Sequence, residues 1–393
     1  MTRRRLNIGL LLLGLLLTLV SCTEKPTPDP YTPTPYTITI PGYFPTNINI
    51  PEDNPMTVEG VELGRYLFYD GRMSGRTQKD SLMSCGTCHI QSQGFDLGLG
   101  NARFPDGHPV GLSGTATPHY PLPLVNLIWN EKGYLWNGMV SNSGPNPEYR
   151  DLEDLVWMGV VAAHEMAGDT NQTKALIQDI NGYKELFEKA FGSDVVTMEN
   201  INRAVAQFVR TLISSNSKFD RYMRGEEQLT EEELSGFVLF TTEEGGDCFH
   251  CHGGAGNPLF TTNGFYNNGK DAEFTGVFED PRDRFHITGD PMDLGAYKAT
   301  TLRNIALGGP YMHDGRFETL DEVIDFYAHN LVWSEYIDPL MHHIGTQGNQ
   351  LLPWEKANLK AFINTLRDTV LTTDPTFSPP ITFPDGTTWE SQQ

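Results

Sequence analysis

Two copies of one short pattern constrain this chain more than any other feature. Cys85, Cys88 and His89 stand in "SLMSCGTCHIQ", and Cys248, Cys251 and His252 stand in "GGDCFHCHGG". The chain has five cysteines, and four of them are used in this CxxCH arrangement. A disulfide within each CxxC, or a zinc site, would employ the sulfurs, but neither explains why a histidine directly follows both pairs. A covalently attached haem does. The two thiols add to the vinyl groups, the two-residue spacer brings both sulfurs to one edge of the ring, and the adjacent imidazole reaches the iron. A length of 393 residues with 38% hydrophobic content gives room for two ordinary domains with real cores.

The chain begins "MTRRRLNIGLLLLGLLLTLVSC", a basic start followed by an apolar run that ends Leu19-Val20-Ser21-Cys22. This reads as a signal peptide over residues 1–22 with a lipoprotein-type box, so Cys22 is expected to carry lipid. An uncleaved anchor is the alternative, since the run is nearly long enough to span a bilayer. Residues 23–45, rich in Pro and Thr, read as a stiff tether. Either way the body is expected in the bacterial cell envelope, on the periplasmic side, held to a membrane by a lipid anchor. The net charge is −22, and the segment removed with the signal carries arginines and no acids. Such acidity argues against nucleic acid as a partner and is compatible with a small basic electron carrier.

Each CxxCH has a similar lead-in, "ELGRYLFYDGRMS" from Glu62 and "ELSGFVLFTTEEGG" from Glu233. Both carry a Leu-Phe pair on an apolar helix, which reads as an internal duplication. Thr230 to Glu233 forms a capping box that starts the second helix. Ile201, Val205, Phe208, Val209 and Leu212 lie at helical spacing and close the first domain. The expected fold is mainly α, with two cytochrome c-like domains, residues 46–225 and 226–371, each wrapping one haem. The Gly/Pro/Asn-rich stretches 94–123 and 253–295 read as loops around a cofactor rather than strands. Residues 372–393 lack periodicity and read as an extended tail, packed on the surface or frayed.

With these residues in view, the chain resembles the bacterial dihaem cytochrome c peroxidases and their MauG-like relatives. The resemblance covers most of the chain after the tether. It rests on both haem motifs, "LFYDGRMS", "LVNLIWNEKGYLWNG", "AHEMAG" and above all "TLRNIALGGPYMHDGRFETLDEVIDFY". It implies that His89 and His252 ligate the two irons, and that the first haem is the peroxidatic one. Glu165 matches the family's distal glutamate, whose task is to deliver a proton to the leaving oxygen of peroxide. Val156-Trp157-Met158 departs from the polar run of relatives, leaving His164 as a substitute hydrogen-bonding residue. His108 and His119 lie in the loop where some members carry a displaceable distal histidine. Trp136 matches the family's inter-haem tryptophan, with Trp129 as the runner-up.

The second iron takes its other ligand near the end of the helix after "PYMHDGRFETLDEV". Thr319 to Glu322 is a capping box there, which puts Val323, Phe326 and Tyr327 on one inward face. The ligand is a methionine in ordinary dihaem peroxidases and a tyrosine in the MauG-like branch. Tyr327 occupies this place, with Met312 and Met341 as alternatives. A calcium ion between the domains is also implied, bound by an asparagine and by carbonyls equivalent to Gly308 and Pro310. "TPHYPLPLVN" lacks the family's Arg-Asn pair, so that asparagine has no match. His313, Arg316 and Arg303 are expected to pair with propionates or to support the iron ligands.

The reading that follows is a dihaem peroxidase that reduces hydrogen peroxide to water. Electrons come from a small cytochrome c or another donor protein, and a homodimer is allowed. The alternatives are a MauG-like oxidase that modifies a residue of a partner protein, and a dihaem electron shuttle with both irons closed.

Overall fold

Thr57 starts the first long helix. Its hydroxyl accepts from the Gly60 amide, satisfying one of the free donors at a helix start. The helix runs Val58–Tyr69 (α1) and buries Leu63, Leu67 and Phe68 completely. Each such side chain contributes roughly 1.5–3 kcal/mol by leaving water. In the computed structural model, residues 31–392 are described except 100, 102, 105–107, 143, 145–146, 255 and 275–283. The expected signal, lipidated Cys22 and most of the tether lie outside the described residues. Among those residues, no helix is long and apolar enough to cross a membrane.

The following helices are Cys85–Cys88 (α2), Leu152–Val161 (α3), Thr170–Gln178 (α4), Asn181–Phe191 (α5), Met198–Arg210 (α6) and Lys218–Met223 (α7). Beyond them come Glu231–Phe240 (α8), Phe249–His252 (α9), Arg284–Thr288 (α10), Leu320–His329 (α11), Pro353–Asn364 (α12) and Trp389–Gln392 (α13). Among the described residues, one antiparallel strand pair, Phe265–Tyr266 (β1) with Tyr297–Lys298 (β2), pairs Phe265 with Lys298 and Tyr266 with Tyr297. The protein is thus mainly helical, as the sequence predicts. β1 and α10 interrupt the stretch expected to be all loop.

Helix α1 packs on α6 and α8 packs on α12, and both crossings depend on a glycine. A Cβ on Gly64 would lie 1.9 Å from the Ala204 carbonyl oxygen, and one on Gly236 would lie 1.9 Å from that of Asn358. Any larger residue would force the backbones apart. The capping boxes expected at Thr230 and Thr319 are both present. The repeat also extends further than the lead-ins. Asn126 and Asn304 both take positive φ, 60° and 64°, a conformation Asn tolerates. Each opens a 3₁₀ turn, and the bridges Tyr134–Val140 and Tyr311–Phe317 follow.

The described residues from Pro33 onward form one compact unit. One apolar cluster gathers residues between Leu63 and Leu212, and a second gathers residues between Phe219 and Leu366. A third joins Phe44 to Ile128, Trp129 and Leu259. Backbone bonds from Tyr36 to Met56 and from Val58 to Thr34 hold the end of the Pro/Thr-rich segment on the body. The C-terminal residues return to the first cluster. Leu371 and Phe383 are buried in it, the Tyr69 hydroxyl donates to the Phe377 carbonyl, and the Gly71 amide donates to Gln392 Oε1. Phe377, Phe383 and Trp389 anchor this strap at irregular intervals, so no periodicity reveals it.

Candidate functional site

Helix α2 is too short to be stable alone, and its ends are fixed locally. Ser84 and Thr87 form a capping box at its start, and His89 is its C-terminal cap. The His89 ring turns Nδ1 to the Phe95 carbonyl at 3.0 Å, which orients the imidazole and leaves Nε2 for a metal. In the second half His252 Nδ1 lies 3.0 Å from the Thr300 carbonyl, an arrangement of the same kind. Burial pushes both imidazoles down to about 4, so each is neutral and able to ligate at ordinary pH. The four cysteines are free thiols, and burial pushes each up to about 12.

Cys248, Cys251 and His252 line a cavity of about 220 Å3. Its other walls expose mostly apolar surface, including Leu302, Leu320, Ile324 and Leu359. Two thiols, a neutral oriented imidazole and an apolar slot fit a haem. Tyr327, Met312 and Met341 line the same cavity, so every candidate for the second ligand is brought to it. Asn268 Nδ2 donates to the Tyr327 hydroxyl at 2.9 Å and lies 3.9 Å from Met312 Sδ. Burial raises the Tyr327 phenol above its ordinary value, while the Asn268 bond acts in the opposite direction.

Glu165 sits just past α3, in a turn where its amide donates to the Ala162 carbonyl and its carbonyl accepts from Leu112. Although 43% of its side-chain surface is open, protein surrounds it closely enough that burial alone pushes the carboxyl up to about 7. Its charge raises the thiols of both Cys85 and Cys88, which places it in their electrostatic neighbourhood. His164 Nε2 lies 3.9 Å from Glu165 Oε1 and is the nearest imidazole described there. His108 is tied into its own loop, with Nε2 2.6 Å from the Thr117 carbonyl.

Trp136 lines the second cavity while its neighbour Leu135 packs on the first cluster. Its indole N–H donates to the Tyr120 carbonyl at 2.7 Å. The ring lies 6.3 Å from His313, which stacks on Tyr297 at 3.6 Å, and His119 meets His313 with Nδ1 atoms 3.2 Å apart. The sequence marks His119 as a loop histidine, and only the fold brings it to this ring cluster. Trp129 is elsewhere, packed on Phe44 with its N–H on the Pro45 carbonyl. Arg303 departs from its expected role near a propionate. Its guanidinium is consumed by Asp220, through bonds of 2.8 and 2.6 Å, and by the Pro258 carbonyl. Arg316 pairs with Asp314 and Asp271 at the surface.

Comparison with known proteins follows this geometry. Residues 58–228 match the family model for di-haem cytochrome c peroxidase. The chain is 30% identical to the methylamine utilization protein MauG of Methylophilus methylotrophus, over 82% of this chain and 86% of that protein. It is 31% identical to the cytochrome c551 peroxidase of Nitrosomonas europaea, over 69% and 73% respectively. A crystal structure of a MauG-like protein associated with microbial copper homeostasis superposes with a TM-score of 0.73 at 32% identity, covering 87% of this chain and 99% of that one. The chain belongs to the dihaem cytochrome c peroxidase family, oxidoreductases that include the MauG proteins. As a member of that family it is a dihaem enzyme of the peroxidase class.

Proposed function

We propose that the protein reduces hydrogen peroxide at a haem attached to Cys85 and Cys88 and ligated by His89. Cys248, Cys251, His252 and Tyr327 would hold a second haem, which would supply a second one-electron centre. Once bound, the haems would supply one-electron iron chemistry. The chain's own contributions are specific. His89 and His252 are held neutral and oriented by backbone carbonyls. Glu165 holds a proton near neutral pH and is placed to give it to a departing oxygen. Trp136, at the margin between the first cluster and the second cavity, is the aromatic relay. Electrons enter from a small cytochrome c or similar donor protein.

The observation that carries this reading is a carboxyl, Glu165, in the electrostatic neighbourhood of the first cysteine pair, with a phenol, Tyr327, lining the cavity of the second. The test is steady-state peroxide reduction by the haem-loaded protein with a reduced cytochrome c, comparing wild type with Glu165→Gln. Unchanged turnover in the variant overturns the assignment of Glu165. Tyr327 supports a second reading, a MauG-like oxidation of a partner protein, because a phenolate donor favours higher oxidation states. Optical and EPR spectra before and after one equivalent of peroxide separate the two. A long-lived oxidised product without prior reduction favours the second, and reaction only after reduction favours the first.

The finer cellular setting belongs to the same proposal: export to the periplasmic side, lipid on Cys22, and a homodimer allowed. For calcium between the halves, Asp96 is the carboxyl at hand, since it lines the same cavity as Pro310. Metal analysis after chelation tests it.

A further inference from the structure

Beside the second CxxCH lies a group of side chains that the peroxidase reading does not use. Glu243 is in the loop after α8, His250 is the residue between Cys248 and Cys251 that precedes the second thiol, and His342 opens the 3₁₀ turn His342–Thr346. One ligand atom from each of the three lies within 4.8 Å of the others. The rings of His250 and His342 are 5.0 Å apart and nearly perpendicular, at 85°, so neither stacks over the other's nitrogens.

The support around these three is that of a metal site. Asp247 Oδ1 lies 2.7 Å from His250 Nδ1, which fixes the ring and turns Nε2 toward Glu243 Oε1 at 3.6 Å. A carboxylate behind a ligating imidazole both orients it and raises its basicity. Asp247 Oδ2 also lies 3.4 Å from His342 Nδ1, so one buried carboxylate addresses both rings. His343 Nε2, 2.7 Å from the Glu243 carbonyl, ties the 3₁₀ turn to the loop that carries Glu243. Donors around a tetrahedral ion stand about 3.4 Å apart, given bonds of about 2.0–2.1 Å. Closing the triad therefore asks for a shift of about an ångström, which the exposed Glu243 and the half-exposed His342 can make.

We propose that Glu243, His250 and His342 bind one divalent transition cation of the Zn2+ and Cu2+ class. Two imidazoles and one carboxylate suit these ions, whereas Ca2+ and Mg2+ prefer oxygen throughout. Three protein ligands leave a coordination position for water or for a side chain of a docking protein. The ion stands at the margin of the second cavity, which Asp247, His342 and His343 also line. Asp247 is felt electrostatically at both Cys248 and Cys251, so a cation there offsets negative charge next to the second haem attachment.

The test uses the untagged, haem-loaded full chain, stripped with a chelator and then equilibrated with Zn2+ alone. The readout is metal per chain after gel filtration, together with a titration. One equivalent is expected, with affinity weakened at least tenfold in both His342→Ala and Glu243→Gln, and with the haem spectrum unchanged in Glu243→Gln. Glu243 lies outside both the haem motif and the cavity lining, so loss of binding there is not confused with loss of haem. Absence of bound Zn2+ in the wild type, or binding unaffected by both substitutions, overturns the proposal. The count of metal does not depend on peroxide turnover, so it stands or falls apart from the catalytic reading.

Discussion

The two halves of the molecule support the motif histidine in the same way and differ in the residues around it. In both, a short helix carries two thiols, and the following imidazole is steered by a backbone carbonyl at 3.0 Å. In both, a glycine lets two long helices cross in contact. Around this shared frame, the first half offers Glu165, a carboxyl that burial pushes up to about 7, and the second offers Tyr327 under an Asn268 hydrogen bond. Duplication supplied two similar scaffolds, and under the proposed function a few residues that differ between them would make one a place for proton transfer and the other a closed centre. The division is economical because the costly parts, the crossings and the imidazole supports, are left untouched.

The sharpest way to break this comparison is to remove one attachment at a time. Cys85→Ser with Cys88→Ser is expected to abolish peroxide turnover and halve the haem content measured by pyridine haemochrome. Cys248→Ser with Cys251→Ser should halve the haem content too but leave peroxide binding at the first half. Next in size, Glu165→Gln should slow turnover by about 10²–10⁴-fold, the usual contribution of a placed proton donor. The wild-type rate should also fall as pH rises through about 7, because the raised carboxyl loses its proton there, and this limb should be missing in the variant. Rate measurements across pH 5–9 check both, on the order of two units either side of that midpoint.

Smaller effects test the scaffolds. Gly64→Ala and Gly236→Ala should each destabilise the fold by about 1–3 kcal/mol through forced separation of the helices. Denaturant midpoints would show whether the two crossings are equivalent, and a loss at only one would end the claim of matched scaffolds. Tyr327→Met should raise the potential of the second haem alone, read by spectroelectrochemical titration, because a thioether favours the reduced iron more than a phenolate does. An unchanged potential would remove Tyr327 from the iron.

Much of this was legible from residues that repeat or have a period. The CxxCH pairs, the stripe from Ile201 to Leu212 and the capping boxes at Thr230 and Thr319 all act locally, so sequence spacing carries them. Arg303 was misread because its partner Asp220 is distant in sequence, and a buried guanidinium looks the same on paper whether it faces a propionate or a carboxylate. The ring cluster of His119, His313 and Tyr297 comes from three loops with no common signal. Glu243 and His342 are likewise brought to His250 only by the tertiary fold. The second half of the repeat, from Asn126 and Asn304 onward, was hidden by a one-residue difference in the turn before each bridge.

The strap of residues 371–392 settles the order in which the molecule can be finished. Trp389 packs edge-on against Tyr69 and covers Gly86, the residue between Cys85 and Thr87. The second cluster ends at Leu366, but the first is complete only when Phe383 and Gln392 are in place. The half that comes first in the chain is therefore the last to be sealed. A chain stopped after residue 370 should keep a protected second half while the segment bearing Cys85 and Cys88 exchanges its amide hydrogens freely. Residues 371–392 thus act as a latch over the segment that bears the first cysteine pair.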